Sequence, residues 1–247
     1  MSDAALYTDL SGYYDLMCAD IDYPAQSAMV QRLDRLFGNG GQRHLDLACG
    51  TGPHIRRFLD AGYVCSGLDI HGPMLDLARL RCPEAQFLQG DMAALEAGSA
   101  YDLITCFLYS LHYNPTRLQL ERCVAGVHRA LSPQGVFCFN LVDCTRIDNR
   151  LFVQHGVEHE GSQLHFRSGW HYPGAGEGQS LRLQIDKTTA GKTETWQDEH
   201  AMVAISISTM QTLLEPLFEV QVLEHDYQRI APWDQQSGNA LFVCVKR

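Results

Sequence analysis

The stretch HLDLACGTGPHIRRFLDAGYVCSGLDIHGPML, residues 44–75, decides the fold. An apolar run carrying one acid, Asp46, leads into a glycine turn at Gly50 and Gly52. A helix-length segment ended by Gly62 follows, and then a second apolar run that finishes on Asp69. Glycines at the turn let the chain bend sharply and bring its backbone against a ligand with no Cβ in the way. A dinucleotide fingerprint would need a third glycine where Ile55 stands, and a phosphate loop would need Gly-Lys-Ser/Thr; neither is present.

Working outward, the same rhythm continues. A helix over 22–38, with Pro24 in its first turn and Gly38 closing it, precedes a strand over 43–49. Strands over 64–70, 85–91, 101–110 and 135–143 alternate with helices over 53–62, 72–82 and 116–131. This alternation predicts an α/β fold: a Rossmann-like, doubly wound, mostly parallel seven-stranded sheet with ligands at the carboxyl ends of its strands. Residues 150–205 change character, with period-2 alternation between Gly-rich turns such as PGAGEGQ, and predict an antiparallel β insertion. A helix over 206–218 and strands over 219–227 and 239–247 return to the main sheet. The expected organisation is therefore one domain over 1–149 and 206–247, with the insertion over 150–205 contributing to a substrate site.

Three acids mark successive strand ends. Asp46 sits inside an apolar strand, where burial without a partner would cost several kcal/mol, so it needs a hydrogen-bonded or cationic counterpart. Asp69 lies on the order of 20 residues further on, where an acid takes a ribose hydroxyl pair. Asp91, in QGDM, ends the third strand. Three carboxylates in one crevice suit a ligand with positive charge, a ribose diol and an exocyclic amine, and suit a pyrophosphate poorly.

In order, DLACGTG, GLD, QGDM and YDLITCFLYSLHY resemble the motifs of class I S-adenosylmethionine-dependent methyltransferases over roughly residues 40 to 145. With YYDLM, CGTGPH, the β insertion and the terminal ALFVCV, the chain is most similar to bacterial N,N-dimethyltransferases acting on amino-sugar nucleotides. The resemblance implies S-adenosyl-L-methionine as cofactor. It implies a backbone pocket at Ala48, Gly50 and Gly52 for the methionine portion, with Asp46 fixing its amino group. Asp69 would hold the ribose hydroxyls, Ile70 and Met74 would pack near the adenine, and Asp91 with Met92 would recognise its amine and ring edge. Leu108 or Phe107 would flank the methionine and sulfonium. Pro53 departs from the commoner glycine or small polar residue, at a helix position where proline is favoured.

Methyl transfer from a sulfonium is an in-line displacement on an activated donor, so alignment and a deprotonated nucleophile are the main requirements. His112, after the fourth strand, either orients the acceptor and takes its proton or hydrogen-bonds backbone. Tyr14, in a segment the family folds over its cofactor, either packs against cofactor or amine or is a hydrophobic anchor. Trp170, Trp196 and Trp233 line an acceptor pocket or fill a small core. The histidines of the insertion match no zinc spacing, and no metal is expected.

Composition bounds the rest. The 247 residues are 45% apolar and 19% charged, and no segment reaches the roughly 18 apolar residues of a membrane span. No secretory signal is expected at the N-terminus, and nine scattered cysteines without a CxxC pair read as reduced thiols, so the expected location is cytoplasmic. A net charge of −10 argues against nucleic acid, whose binding draws on clustered Lys and Arg. The expected partners are a small-molecule substrate and, as an option, a second copy in a homodimer. The leading acceptor is an amine nitrogen; oxygen, sulfur or carbon acceptors, a nicotinamide dehydrogenase and a silent cofactor-binding subunit are the rivals.

Overall fold

A short helix, α1 (Tyr14–Met17), preceded by two 3₁₀ turns, opens the described chain; the computed structural model describes residues 5–97 and 100–247. Residues 1–4, part of the stretch read above for a secretory signal, lie outside it. Helix α2 (Tyr23–Phe37) starts where the Asp22 carboxylate accepts the Ala25 amide at 2.9 Å, an N-cap that satisfies one of the first-turn donors. Strand β1 (Arg43–Leu47), helix α3 (Pro53–Asp60), strand β2 (Val64–Asp69), helix α4 (Gly72–Arg81) and strand β3 (Gln86–Gln89) then alternate as expected. Strand β4 (Tyr101–Cys106), helix α5 (Arg117–Ala130) and strand β5 (Leu131–Val142) complete the first half of the sheet. The β4 strand is shorter than the expected 101–110, because its last residues turn into a 3₁₀ helix over Ser110–Tyr113. Strand β5 begins four residues earlier than expected, since Leu131 already pairs with Tyr101 before a register shift.

Strands β6 (Val153–His159), β7 (Ser162–His171), β8 (Gly178–Thr189) and β9 (Lys192–Val203) form a separate antiparallel sheet in sequential order. Helix α6 (Ile207–Leu214) and strands β10 (Phe218–Glu224) and β11 (Asn239–Lys246) return to the main sheet, whose order is β10-β11-β5-β4-β1-β2-β3. Only β11 runs against its neighbours. This is the Rossmann-like, doubly wound α/β fold with seven strands and an antiparallel second sheet.

Both faces of the main sheet are covered. Leu120, Val124 and Val127 of α5 and Met210 of α6 pack on one face with Phe137, Phe139 and Phe242. Val30 and Leu33 of α2, Phe58 of α3 and Leu75 of α4 pack on the other with Leu103, Val136 and Val243. A third cluster seats the N-terminal segment on the insertion, with Leu6 and Leu10 against Leu164, Phe166, Leu183 and Ile185. Trp196 belongs to this small core and Trp233 to the main one. No helix among the described residues is long and apolar enough to cross a membrane.

Strand order reverses between β1 and β4, and there the crevice opens at the strand carboxyl ends. Gly50 and Gly52 both take left-handed φ, +55° and +79°, so the chain leaves β1 and enters α3 within six residues.

Candidate active site

The residues from the glycine turn and the next two strand ends surround one cavity of about 270 Å³. Ala48, Gly50, Asp69, Ile70, Met74, Asp91 and Met92 all line it, and Tyr14 closes it from the N-terminal segment. A smaller space of about 20 Å³ adjoins it, walled by Asp46, Phe107, Leu108 and His54. Tyr14, Ala48 and Ser110 border both spaces. Ile70, 57% exposed, stands at the rim.

Asp69 is buried, and its two oxygens accept the Gly50 amide at 2.8 Å and the His71 amide at 2.9 Å. Burial raises its pKa from the ordinary value, and these amides oppose the rise. Asp46 pairs in register with Thr105 of β4, whose hydroxyl donates to Oδ1 at 2.7 Å; His44 Nε2 donates in turn to that hydroxyl at 2.8 Å. Burial pushes the Asp46 carboxyl up to about 7. Asp91 accepts the Ala93 amide at 2.8 Å and stays exposed.

Two residues expected at the site face elsewhere. Gly52 lines neither space: a Cβ there would meet Ala78 Cβ at 3.4 Å and Cys82 Sγ at 3.7 Å, so its bare backbone lets α3 approach α4. His112 is fully buried away from the cavity. Its Nε2 accepts the Val142 amide at 3.2 Å, which leaves the proton on Nδ1 to be donated to the Val203 carbonyl at 2.9 Å. It thereby joins the main sheet to the insertion, and burial lowers its pKa to about 4. The 3₁₀ turn is the reason. Side chains at i and i+3 share a side there, so Ser110 and Tyr113 face the cavity while His112 points inward.

Tyr7 and His71, which the motifs did not single out, also line the cavity, their rings stacked at 5.3 Å. Beyond the crevice, Trp170, Phe152, Arg167 and Arg182 border an open groove of about 420 Å³ on the insertion. Arg167 lies over the Phe152 ring at 3.5 Å. Arg182 pairs with Glu199 at 3.1 Å, and Arg150 is tied to Asp148 at 2.8 Å.

With this geometry in place, the comparisons decide the family. Residues 45–135 match the methyltransferase domain family. The chain is 30% identical over 227 residues to dTDP-4-amino-2,3,4,6-tetradeoxy-D-glucose N,N-dimethyltransferase of Saccharopolyspora spinosa, spanning 91% of this chain and 87% of that enzyme. It is 33% identical over 242 residues to dTDP-3-amino-3,4,6-trideoxy-alpha-D-glucopyranose N,N-dimethyltransferase of Streptomyces venezuelae, spanning 91% of each. The chain belongs to the S-adenosylmethionine-dependent methyltransferases. As a fold, this methyltransferase superposes on Streptomyces venezuelae DesVI with a TM-score of 0.82 at 24% identity, covering 97% of this chain and 99% of that one. A shorter match, 27% identical over 148 residues to a Geobacillus sp. protein, spans 60% of that relative.

The residues present fit S-adenosylmethionine as cofactor. Gly50 leaves bare backbone on the cavity wall, where a Cβ would stand 3.5 Å from Met74 Cε and 3.7 Å from the Tyr14 ring. His54 Nε2, on the wall of the smaller space, is buried without a hydrogen-bond partner, a polar atom that a polar ligand group would satisfy.

Proposed function

We propose that this methyltransferase acts on the amino nitrogen of a nucleotide-linked amino sugar. The observation that carries the reading is the length of its likeness to two such N,N-dimethyltransferases, which runs through 91% of the chain, more than the cofactor-binding core alone. The insertion groove supports it, since Arg167 and Arg182 are suited to phosphates and Trp170 to a base or sugar face.

Bound S-adenosylmethionine supplies a methyl group already activated on a sulfonium. Asp69 would take the ribose hydroxyls, Asp91 with Met92 the adenine edge, and Ile70 with Met74 its faces. Asp46 would face the ammonium at the backbone of Ala48 and Gly50, with Phe107 and Leu108 beside the methionine chain. Tyr14, at the border of the two spaces, would exclude water from the reacting atoms and align the amine. A seam position suits His112 to holding the insertion in place.

The test is methyl transfer from isotopically labelled S-adenosylmethionine to a panel of dTDP-linked amino sugars and their hydroxyl counterparts. Label on nitrogen, up to two methyl groups, is the expected product; label on oxygen, or none on any amino sugar, would overturn the reading.

A further inference from the structure

Three side chains from three separate segments meet at the wall of the cofactor cavity. Tyr7 comes from the N-terminal 3₁₀ turn, Tyr113 from the turn after β4 and His200 from β9. Their polar atoms form a chain: Tyr7 Oη to Tyr113 Oη is 2.5 Å, and Tyr113 Oη to His200 Nδ1 is 2.7 Å. Tyr7 and Tyr113 border the cavity. His200 is 4% exposed, its Nε2 has no hydrogen-bond partner, and Asp198 Oδ2 stands 3.8 Å from it. Asp198, two residues away on β9, projects from the same face of the strand as His200 and keeps 13% of its side chain exposed. The chain therefore runs from the cofactor cavity to a partly exposed carboxylate.

A methyl acceptor needs a free lone pair, and alkyl amines are ordinarily protonated near neutral pH. Every round of N-methylation also releases one proton. Two of the carboxylates at the crevice are already engaged, since Asp69 holds two amides and Asp46 accepts from Thr105, and His112, away from the cavity, spends both nitrogens on backbone.

We propose that Tyr7, Tyr113 and His200 form a proton exit path for the acceptor amine, ending at Asp198; this rests on the amine reading above. With Tyr113 donating to Nδ1, Tyr113 must accept from Tyr7, and the imidazole proton sits on Nε2. The acceptor's N–H bond breaks as its proton joins Tyr7 Oη. Tyr7 passes its own proton to Tyr113, and Tyr113 passes its proton to Nδ1. The resulting imidazolium releases its Nε2 proton to the partly exposed Asp198 carboxylate, which passes it to solvent. The amine is left with its lone pair, and each hydroxyl ends neutral, with its hydrogen bond reversed.

Burial raises the pKa of both phenols, so they relay protons as neutral hydroxyls. Burial lowers that of His200, and Asp198 works against the fall. The groups facing His200 are Tyr7, Tyr113, Asp198 on its own strand, and His71 from the turn after β2.

The experiment compares His200→Asn and Tyr113→Phe with the wild type across pH 6.5 to 9.5, using the amine acceptor found by label transfer. Expected is a kcat roughly 100-fold lower near pH 7, recovering to within about 3-fold of wild type above the acceptor's own pKa. S-adenosylhomocysteine affinity, read by calorimetry, should stay within about 3-fold. Equal loss at every pH, or no loss, would overturn the path. Ring-nitrogen NMR of His200 in the S-adenosylhomocysteine complex needs no acceptor: the Nε2–H tautomer is expected, with an Nδ1 shift that moves in Tyr113→Phe. An unmoved shift rejects the hydrogen-bond chain, whereas label found only on non-amine acceptors rejects the amine reading and with it the need for an exit.

Discussion

Asp69 holds the Gly50 amide at 2.8 Å across the crevice, tying the end of β2 to the glycine turn that follows β1. The carboxylate thus shapes the wall it belongs to, and its second oxygen fixes the His71 amide. Hydrogen bonds to a charged acceptor contribute about 1.5–3 kcal/mol each. Asp69→Ala should therefore weaken S-adenosylhomocysteine binding about 10- to 100-fold by calorimetry, with the far-UV spectrum retained.

Asp46 makes binding depend on pH. Its carboxyl titrates near 7 when folded and near its ordinary value of about 4 when unfolded. Between those values the unfolded chain has lost a proton that the folded chain keeps, so this residue's contribution to stability is present below pH 4 and falls as pH rises to 7. A ligand ammonium would favour the ionised form. Calorimetry of S-adenosylhomocysteine at pH 6 in buffers of different ionisation enthalpy should show proton release, and Asp46→Asn should abolish it.

His112 should matter to folding more than to chemistry. Removing a buried ring that satisfies Val142 and Val203 leaves backbone groups unpaired, at about 2–4 kcal/mol for His112→Ala. Its folded pKa of about 4 lies below the ordinary 6.5, so its contribution is full above pH 6.5 and lost as pH falls toward 4. Urea unfolding should show that loss flattened in the variant. Turnover of folded His112→Asn should stay within about 5-fold of wild type; a 100-fold drop with unchanged stability would return it to the chemistry.

The N-terminal segment is fastened by Asp15, which accepts from Thr51 Oγ1 at 2.6 Å and from Arg81 Nη2 at 2.5 Å. The pair is partly exposed, so it contributes at most about 1 kcal/mol. Arg81→Ala should speed S-adenosylhomocysteine dissociation about 2- to 5-fold in stopped-flow displacement without altering the melting temperature by more than a few degrees.

Much of this was legible in the chain. The alternation of apolar runs and helical segments, the glycine turn and the acids at 69 and 91 place β1 to β3 and the cavity floor. Gly52 lies off the cavity and His112 takes the backbone-bonding alternative, and no local pattern in the chain decides either. Each lies in a turn whose orientation is settled by packing partners distant in sequence: α4 for Gly52, and the strands carrying Val142 and Val203 for His112. Proline at 133 obscured the start of β5, which pairs through Leu131 before the register shift.

The alternation of strands and helices and the bare turn follow from the sequence because each depends on residues a few positions apart, through periodicity, capping and left-handed glycine. The meeting of Tyr7, Tyr113 and His200 does not. Those side chains are separated by about ninety or more residues, and only the packing of the N-terminal segment on the insertion, with the insertion pinned to the main sheet, brings their polar atoms within hydrogen-bonding reach.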